Sequence, residues 1–300
     1  MNLLVTGAFP CDKEEFSAIK KLNNKILFMQ KENEALPCKP EWVEGVICNG
    51  LFLYHPIERF TSLKYIQLTS AGFDRVPLDY ITEKGISIFN AKGVYSVPMA
   101  EFALCAVLQL YKKMVFFYEN QKSRKWEKHR GLLELFGKTV CIVGCGNVGN
   151  ECAKRFSVFG CDVVGVDIKP YKSQLYNKMF SINEITTALQ HSDVVILTLP
   201  LSDITRHLMN ADCFDAMKRG ALLVNISRGA IVNTKDLINA LSNHLGGAVL
   251  DVFEEEPLSS DSQLWNMENV IITPHNSFVG EGNTKRLTDV ILNNLKEYSK

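Results

Sequence analysis

Val140-Cys-Ile-Val-Gly-Cys-Gly-Asn-Val-Gly149 is a β-branched apolar run that continues directly into the pattern G-x-G-x-x-G. A helical pattern follows, so the glycines join a predicted strand to a predicted helix, as a dinucleotide-binding fold requires. Gly144 permits a tight turn, Gly146 lets the backbone approach a pyrophosphate, and Gly149 lets the helix pack against the strand. The alternative is a glycine-rich turn that binds no ligand.

Residues around this loop extend the predicted dinucleotide site. Asn147 and Val148 begin the helix, whose N-terminal amides favour phosphate oxygens. The next strand pattern ends in Asp167, where a carboxylate would accept the adenosine ribose hydroxyls and repel a 2′-phosphate, so NAD is predicted in preference to NADP. As an alternative, Asp167 is an ordinary turn residue. Thr198 and Pro200 end another apolar strand, and they either border the cofactor or only terminate the strand.

Apolar strand patterns alternate with helical patterns along the chain, which predicts an α/β, doubly wound architecture. Several runs are continuously hydrophobic, as in a parallel sheet buried on both faces. One long helix is predicted over Pro98–Lys125, and because it is apolar on most sides it is either buried between domains or in contact with another chain. Capping-box patterns begin at Asp12 and Ser181, and a last helical pattern covers Gly282–Ser299. The predicted strands are Leu3–Thr6, Ile26–Met29, Val46–Cys48, Tyr65–Thr69, Ile86–Asn90, Val140–Val143, Asp162–Val166, Val194–Thr198, Leu222–Ile226, Ala248–Val252 and Val270–Thr273.

Composition excludes several classes of protein. A chain of 300 residues suggests two domains, and 33 basic against 33 acidic residues give no charge excess for binding nucleic acid. The longest apolar stretch, Phe102–Leu110, is too short to span a membrane, and the N-terminus lacks the positive region of a secretory signal. Nine cysteines without a C-x-x-C pair disfavour a disulfide framework and a metal site. Reduced thiols in a cytoplasmic protein are predicted instead.

Three polar residues each follow a predicted strand in the second half of the chain: Arg228, Glu256 and His275. The carboxyl ends of parallel strands meet at one edge of a sheet, so these side chains are expected near the glycine-rich loop. An arginine binds a carboxylate, a histidine transfers a proton near neutral pH, and a carboxylate favours the charged form of that histidine. This set suits the reduction of a 2-oxo acid. The alternatives are a structural loop histidine and a solvated acidic turn.

Several stretches together resemble one known family, the D-isomer-specific 2-hydroxyacid dehydrogenases, over nearly the whole chain. Within this family the chain most resembles the phosphoglycerate dehydrogenases and the glyoxylate/hydroxypyruvate reductases, in their short form. The resemblance implies two Rossmann-like parallel-sheet domains, with an NAD-binding domain at residues 96–275 inserted into a flavodoxin-like substrate domain at residues 1–95 plus 276–300. It also implies a homodimer. The matching stretches are Met217–Asn233, Leu250–Pro257, Thr273–His275, Ser70–Asp74 and Val97–Phe102.

The resemblance also implies roles for the three polar residues. Arg228 would bind the carboxylate and the 2-oxo group of a small 2-oxo or 2-hydroxy acid. His275 would donate the proton in reduction and accept it in oxidation, and Glu256 would pair with it. Hydride would pass between the nicotinamide and C2 of the substrate.

Further residues take their expected roles from the family. Asp251 would lie by the nicotinamide, and the backbone amides around Ala71 and Gly72 would meet the substrate carboxylate. In some reductases of the family a tryptophan enters the partner's active site, and Trp126 and His129 both lie in the corresponding region, so neither is assigned.

Two alternatives remain open at this point. Family members related to transcriptional corepressors keep the fold and much of the catalytic set but act chiefly by binding partners, so an NAD(H)-sensing binding protein is the rival function. The identity of the acid is also open, because specificity depends on the loops at Asn49–Pro56 and Ser70–Asp74 and on the surroundings of Phe278. Leu51–Tyr54 make the first loop apolar, which indicates either a hydrophobic substrate group or core packing.

Overall fold

A computed structural model describes residues 1–10, 13–22 and 25–298. The chain divides into two compact units. The first unit comprises Met1–Tyr95 with Gly280–Lys300, and the second unit comprises Ser96–Val279. The glycine-rich loop, Arg228, Glu256 and His275 all lie in the second unit, so their mutual geometry is that of one folded body.

Strands and helices alternate through both units. Within the described residues, the strands are β1 (Asn2–Thr6), β2 (Lys25–Met29), β3 (Gly45–Cys48), β4 (Tyr65–Leu68), β5 (Ser87–Phe89), β6 (Thr139–Val143), β7 (Asp162–Asp167), β8 (Lys178–Ser181), β9 (Val194–Leu197), β10 (Leu222–Asn225), β11 (Gly247–Leu250) and β12 (Val270–Ile272). The helices are α1 (Lys13–Lys20), α2 (Leu78–Glu83), α3 (Ser96–Tyr111), α4 (Met114–Lys122), α5 (Asn147–Val158), α6 (Ile185–Leu189), α7 (Ala211–Ala216), α8 (Thr234–Asn243) and α9 (Asn283–Tyr298).

Each unit is built on one parallel sheet. In the first unit the strand order is β2-β1-β3-β4-β5, which is the flavodoxin-like order. In the second unit the order is β12-β11-β10-β9-β6-β7-β8, and every neighbouring pair is parallel. The chain leaves β6 toward β7 and β8 and then returns to β9 on the other side of β6. This reversal opens a crevice at the carboxyl ends of β6 and β9, where ligands bind in sheets of this type.

The central strands of the second unit are covered on both faces. All four residues of β9 and all four of β10 are buried. One face packs against α3 and α5 through Ala103, Val107 and Phe156, and the other packs against α6, α7 and α8 through residues such as Phe214. Helices on both faces of a parallel sheet leave its carboxyl edge as the place for polar loops.

The predicted α/β fold with two parallel-sheet units is confirmed. Each predicted strand corresponds to an observed one, with ends that differ by one or two residues. The prediction missed β8, an edge strand that begins with the exposed Lys178 and carries no continuous apolar run. Edge strands face solvent along one side, so their sequences give a weaker signal.

The helix predictions are confirmed in part. A single helix over Pro98–Lys125 is wrong, because the chain forms α3 and then α4 with a break between them. At the break Lys113 adopts a left-handed backbone conformation with φ of 51°, which cannot continue a right-handed helix. The capping box at Ser181 is confirmed, since the Glu184 carboxylate accepts from the Ser181 amide at 3.0 Å and the Ser181 hydroxyl accepts from the Asn183 amide at 3.4 Å. The predicted cap at Asp12 lies outside the described residues, as does Ser299.

None of the helices in the described part of the chain has both the length and the apolar character needed to cross a membrane. Among the same residues there is no group of three or more histidine, cysteine, aspartate or glutamate side chains arranged to hold a metal ion.

Candidate active site

The glycine-rich loop between β6 and α5 leaves no room for side chains at two of its three glycines. A Cβ atom on Gly144, which has φ of 100°, would lie 2.6 Å from the backbone nitrogen of Leu199, and one on Gly149 would lie 2.2 Å from the carbonyl oxygen of Gly144. Gly146 is different, because a Cβ there would meet nothing within 4 Å. Two glycines therefore serve the packing of strand, loop and helix, and the third keeps the loop surface open.

The open surface at Gly146 is also the start of α5. Gly146 is the N-cap residue of this helix and has no side chain with which to cap it. The first amides, at Asn147 and Val148, therefore remain donors for an external anion, which the helix dipole also favours. A pyrophosphate fits these requirements.

Asp167 at the end of β7 is anchored beside this loop. One carboxylate oxygen accepts a hydrogen bond from the Cys145 amide at 2.8 Å, and the other accepts one from the Lys169 amide at 3.0 Å. The anchored carboxylate retains acceptor capacity for ribose hydroxyls, because each oxygen has a second lone pair. The residues present therefore fit NAD, whose pyrophosphate is expected at Gly146 and whose adenosine ribose is expected at Asp167.

The chain after β9 supports the glycine-rich loop from behind. The Thr198 hydroxyl donates to the carbonyl oxygen of Gly144 at 2.5 Å, and Leu199 forms the wall that excludes a Cβ at Gly144. The exposed Pro200 follows, and its carbonyl accepts a hydrogen bond from the buried Thr205 hydroxyl at 2.8 Å. Thr198 thus supports the loop, while contact of Thr198 and Pro200 with a cofactor stays a prediction.

Three cysteines near the loop have unreactive thiols. Burial raises the pKa of the thiols of Cys141, Cys145 and Cys152 to about 12. Thiols with such values stay protonated at neutral pH and are poor nucleophiles. The cysteine inside the glycine-rich loop is therefore a packing residue.

Arg228 follows β10 in a loop that is held by a buried asparagine. The Asn225 side chain donates to the carbonyl oxygen of Arg228 at 3.1 Å and accepts from both the amide and the hydroxyl of Ser227. The Arg228 guanidinium donates to the carbonyl oxygen of Ser227 at 2.8 Å. This role of Asn225 was not predicted from the sequence, although an asparagine at the end of an apolar strand is a signal that could have indicated it.

His275 lies in a turn that is organised by Asp251. The Asp251 side chain is fully buried and accepts hydrogen bonds from the Thr273 hydroxyl at 2.6 Å, the Asn276 amide at 2.8 Å and the Ser277 amide at 2.9 Å. Its backbone carbonyl accepts from the His275 amide at 2.8 Å. These contacts hold the backbone of His275 at φ of 51°. Residues other than glycine adopt this left-handed conformation only where their surroundings enforce it.

His275 and Glu256 form the pair that the sequence predicts. Nδ1 of His275 lies 2.8 Å from Oε2 of Glu256, and because a carboxylate can only accept, the Nδ1–H group is the donor. The other oxygen of Glu256 accepts from the Phe253 amide at 3.0 Å. This arrangement leaves Nε2 of His275 as the ring nitrogen that can exchange a proton with a ligand.

In the first unit, the loop after β4 is held through its carbonyl groups. The Asn90 side chain donates to the carbonyl of Ala71 at 2.6 Å, and the Ser70 hydroxyl donates to that of Gly72 at 3.0 Å. Within the described part of the chain the amides of Ala71 and Gly72 donate no hydrogen bond. They are therefore available to an anion, as the resemblance implies.

The apolar loop after β3 divides between core and surface. Leu51 is fully buried, and Phe52 packs edge-to-face on Phe60 with ring centroids 5.7 Å apart. Leu53 and Tyr54 are exposed. Core packing therefore explains the first half of this loop.

Sequence comparison identifies the family. Its sequence model, described as the NAD binding domain of D-isomer specific 2-hydroxyacid dehydrogenases, matches residues 104–277, which include the glycine-rich loop, Arg228, Glu256 and His275. The chain belongs to this family.

Named relatives agree with this assignment. The (S)-sulfolactate dehydrogenase of Chromohalobacter salexigens is 32% identical over 244 residues, which cover 80% of this chain and 79% of that protein. Glyoxylate/hydroxypyruvate reductase A of Arabidopsis thaliana is 32% identical over 250 residues, covering 81% and 77%. The crystal structure of D-lactate dehydrogenase from Aquifex aeolicus, complexed with NAD and lactic acid, has a TM-score of 0.80 at 25% identity and covers 99% of this chain and 95% of its own. The predicted family and NAD-dependent oxidoreductase class are confirmed.

Gly146 and Gly149 make different contributions, which substitution by alanine separates. We expect Gly146→Ala to fold with an unchanged thermal midpoint, because its Cβ meets nothing, and to bind NADH at least about tenfold more weakly, because the methyl group occupies the phosphate approach. Gly149→Ala should lower the midpoint by several degrees, since forcing an atom into a packed contact costs about 1–3 kcal/mol. Circular dichroism and titration calorimetry with NADH measure the two effects. Equal loss of stability in both variants would contradict this division.

Proposed function

We propose that this protein catalyses the reversible, NAD-dependent reduction of a small 2-oxo acid to the corresponding D-2-hydroxy acid. The observation that carries the proposal is the Glu256–His275 pair, with its Nδ1 to Oε2 distance of 2.8 Å, in the same folded unit as Arg228 and the glycine-rich loop. The reaction consumes one 2-oxo acid, one NADH and one proton, and it yields one 2-hydroxy acid and one NAD⁺. The named relatives act on different small 2-hydroxy acids, so the class of substrate is proposed without choosing a member.

Arg228 binds the substrate in this proposal. A guanidinium pairs with a carboxylate through two parallel hydrogen bonds, which fixes both the position and the plane of the acid. Asn225 and Ser227 hold the backbone from which Arg228 projects, so the guanidinium starts from a defined base. The roles of Ala71 and Gly72 as amide donors to a carboxylate stay a prediction, which their engaged carbonyl groups support.

His275 moves the proton. During reduction its Nε2–H group donates to the oxygen that develops at C2, and Glu256 stabilises the charged ring from which the proton leaves. NAD(H), when bound, supplies the hydride at the nicotinamide C4. The contacts of Asp251 hold the His275 turn, and a position of Asp251 beside the nicotinamide stays a prediction.

NAD rather than NADP is the proposed cofactor. The Asp167 carboxylate is fixed by two backbone amides, so a 2′-phosphate would meet a negative charge that cannot move away. Lys169 follows in the same turn and offsets part of this repulsion.

We propose the cytoplasm as the location of the protein. The eight cysteines in the described residues, from Cys38 to Cys213, are all free thiols. Free thiols persist in a reducing compartment, which favours this location.

The rival function, an NAD(H)-sensing binding protein of the corepressor type, has less support. A binding protein needs the cofactor site but has no use for a fixed proton donor. The prepared His275–Glu256 pair and the dehydrogenase and reductase names of the relatives favour catalysis.

We also propose that the protein is a homodimer. The segment from α4 to β6 exposes several large apolar side chains, among them Val115, Tyr118, Trp126 and Phe136, of which Trp126 is 99% exposed. Aromatic residues are enriched at protein–protein interfaces. A second copy of the chain is the proposed partner.

Replacement of His275 tests the proposed reaction. Initial rates of NADH and NADPH oxidation are measured with glyoxylate, hydroxypyruvate, phosphohydroxypyruvate, pyruvate and 2-oxoisocaproate. We expect turnover with at least one acid, faster with NADH than with NADPH. His275→Ala should lower kcat by about 10²- to 10⁴-fold with a smaller change in KM, because it removes the proton donor of the transition state.

His191→Ala is the matched control, since it removes an exposed histidine elsewhere in the second unit. It should retain the parent rate. Full activity of His275→Ala on the best substrate would refute the assigned role, and binding of NADH without turnover of any acid would favour the sensor.

Light scattering tests the dimer. The molar mass measured for the parent should be twice the chain mass of 33.8 kDa. Val115→Glu should weaken the dimer at least about tenfold, because a charge would be buried in an apolar contact. Ile204→Glu, which places the same charge at another exposed apolar residue of the second unit, should remain dimeric. A monomeric parent at micromolar concentration would refute the proposal.

A further inference from the structure

Two loops that carry proposed active-site residues touch each other through their backbones. The first is the arginine loop, Ser227–Ile231, and the second is the acid loop, Phe253–Pro257. A Cβ on Gly229 would lie 1.8 Å from the carbonyl carbon of Phe253 and 2.5 Å from the nitrogen of Glu254. Only a glycine permits this approach, so a displacement of the acid loop necessarily affects the arginine loop.

His207, in the segment between β9 and α7, bonds to both loops. Its backbone amide donates to the carbonyl of Ala230 in the arginine loop at 2.8 Å. Its side-chain Nε2 lies 2.5 Å from Oε1 of Glu254 in the acid loop, and because the carboxylate can only accept, Nε2–H is the donor. A single residue therefore links the loop that carries Arg228 to the loop that carries Glu256.

Glu254 is fixed from a third direction. Its second oxygen accepts hydrogen bonds from the amide of Thr234 at 2.9 Å and from the Thr234 hydroxyl, at the first residue of α8. Partial burial alone would raise the pKa of the Glu254 carboxyl, but the hydrogen bonds from Thr234 and His207 outweigh burial, and the pKa falls below its ordinary value. Glu254 is therefore charged at neutral pH.

The backbone of His207 is itself constrained. It has φ of 49°, a left-handed conformation that few residues other than glycine adopt, although histidine, asparagine and aspartate are enriched there. Such conformations persist only where surrounding contacts enforce them. The contacts to Ala230 and Glu254 are of this kind, and they direct the imidazole toward the acid loop.

We propose that His207 is a positioning residue, which acts through Glu254 to hold Glu256 against His275 and the acid loop against the arginine loop. The role of the pair as proton donor rests on the proposed function. Glu256 lies two residues after Glu254, and its own carboxylate bonds to the Phe253 amide and to His275. Loss of the His207 contact removes one of the hydrogen bonds that hold the Glu254 carboxylate, two residues before Glu256.

Two substitutions of His207 separate the hydrogen bond from the backbone. His207→Asn tolerates the left-handed conformation but is too short to reach Glu254. His207→Gln carries an amide nitrogen at about the reach of Nε2, so it restores the donor. Glu255→Gln is the matched control, because it removes a neighbouring charge from the acid loop without altering the contact of Glu254.

We expect His207→Asn to lower kcat/KM by about tenfold to a hundredfold, since small displacements of reacting groups have effects of this size. His207→Gln should recover most of the rate, and Glu255→Gln should match the parent. Parent kinetics in His207→Asn would overturn the proposal, as would a loss that His207→Gln does not recover.

A spectroscopic measurement tests the same inference without turnover. The ring ¹⁵N signals of His275 are identified by their absence from the spectrum of His275→Ala, and the Nδ1 signal reports the hydrogen bond to Glu256. The ring of Phe278 lies 6.2 Å from that of His275, centroid to centroid. The Nδ1 signal should shift in His207→Asn and return to its parent position in His207→Gln. An Nδ1 signal unchanged in His207→Asn would overturn the proposal even if the parent turned over no acid, in which case the proposed function alone would have failed by the rate measurement.

Discussion

The buried side chain of Asp251 holds the turn that carries His275, and the proposed proton transfer depends on that turn. A polar group with no solvent exposure is costly unless it is hydrogen-bonded, and here a hydroxyl and two backbone amides donate to the Asp251 side chain. All three donors come from the segment after β12. These contacts direct the chain after β12 into the turn in which the His275 amide donates to the carbonyl of Asp251, just after β11. Removing the carboxylate would leave the amides of Asn276 and Ser277 without these acceptors and would weaken the left-handed turn.

The parallel sheet explains why distant segments of sequence converge. Strands β6, β9, β10, β11 and β12 all present their carboxyl ends at the same edge, and each is followed by a residue with a polar or conformational task. The central strands are buried on both faces and stay apolar, so polar chemistry is restricted to the loops. Hydrogen bonds such as those from Asn225 to Arg228 and from His207 to Glu254 hold these loops in place. A rigid sheet and tied loops together give a site with little freedom to rearrange.

The sequence was sufficient to predict the strands of the sheet and the residues that follow them. Long β-branched runs have one stable place in such a fold, and the glycine spacing identifies the turn after β6. It was insufficient for β8, which carries little apolar signal, and for the helix break, which depends on the left-handed conformation of Lys113. Residue propensities and hydrophobic periodicity predict neither this edge strand nor this helix break.

The supporting contacts were harder still to predict. The roles of Asp251, Asn225 and His207 depend on partners in other loops, and no local pattern specifies which amide a carboxylate will accept from. For Asp251, the resemblance gave an expected place beside the nicotinamide, whereas its observed contacts lie within the His275 turn. The site residues could thus be predicted from the sequence, whereas the hydrogen bonds that orient them could be seen only in the folded structure.

Following the transferred hydrogen tests the proposed reaction most directly. The protein is incubated with NADH deuterated at the nicotinamide C4, in both stereochemical forms, and with the panel of 2-oxo acids, and the products are analysed by mass spectrometry and chiral chromatography. With one of the two forms, deuterium should appear at C2 of the 2-hydroxy acid, together with an equal amount of NAD⁺, and a product that has a stereocentre at C2 without the label should be D-configured. Oxidation of the deuterated cofactor that leaves C2 unlabelled with both forms, or a product of L configuration, would contradict hydride transfer by this site.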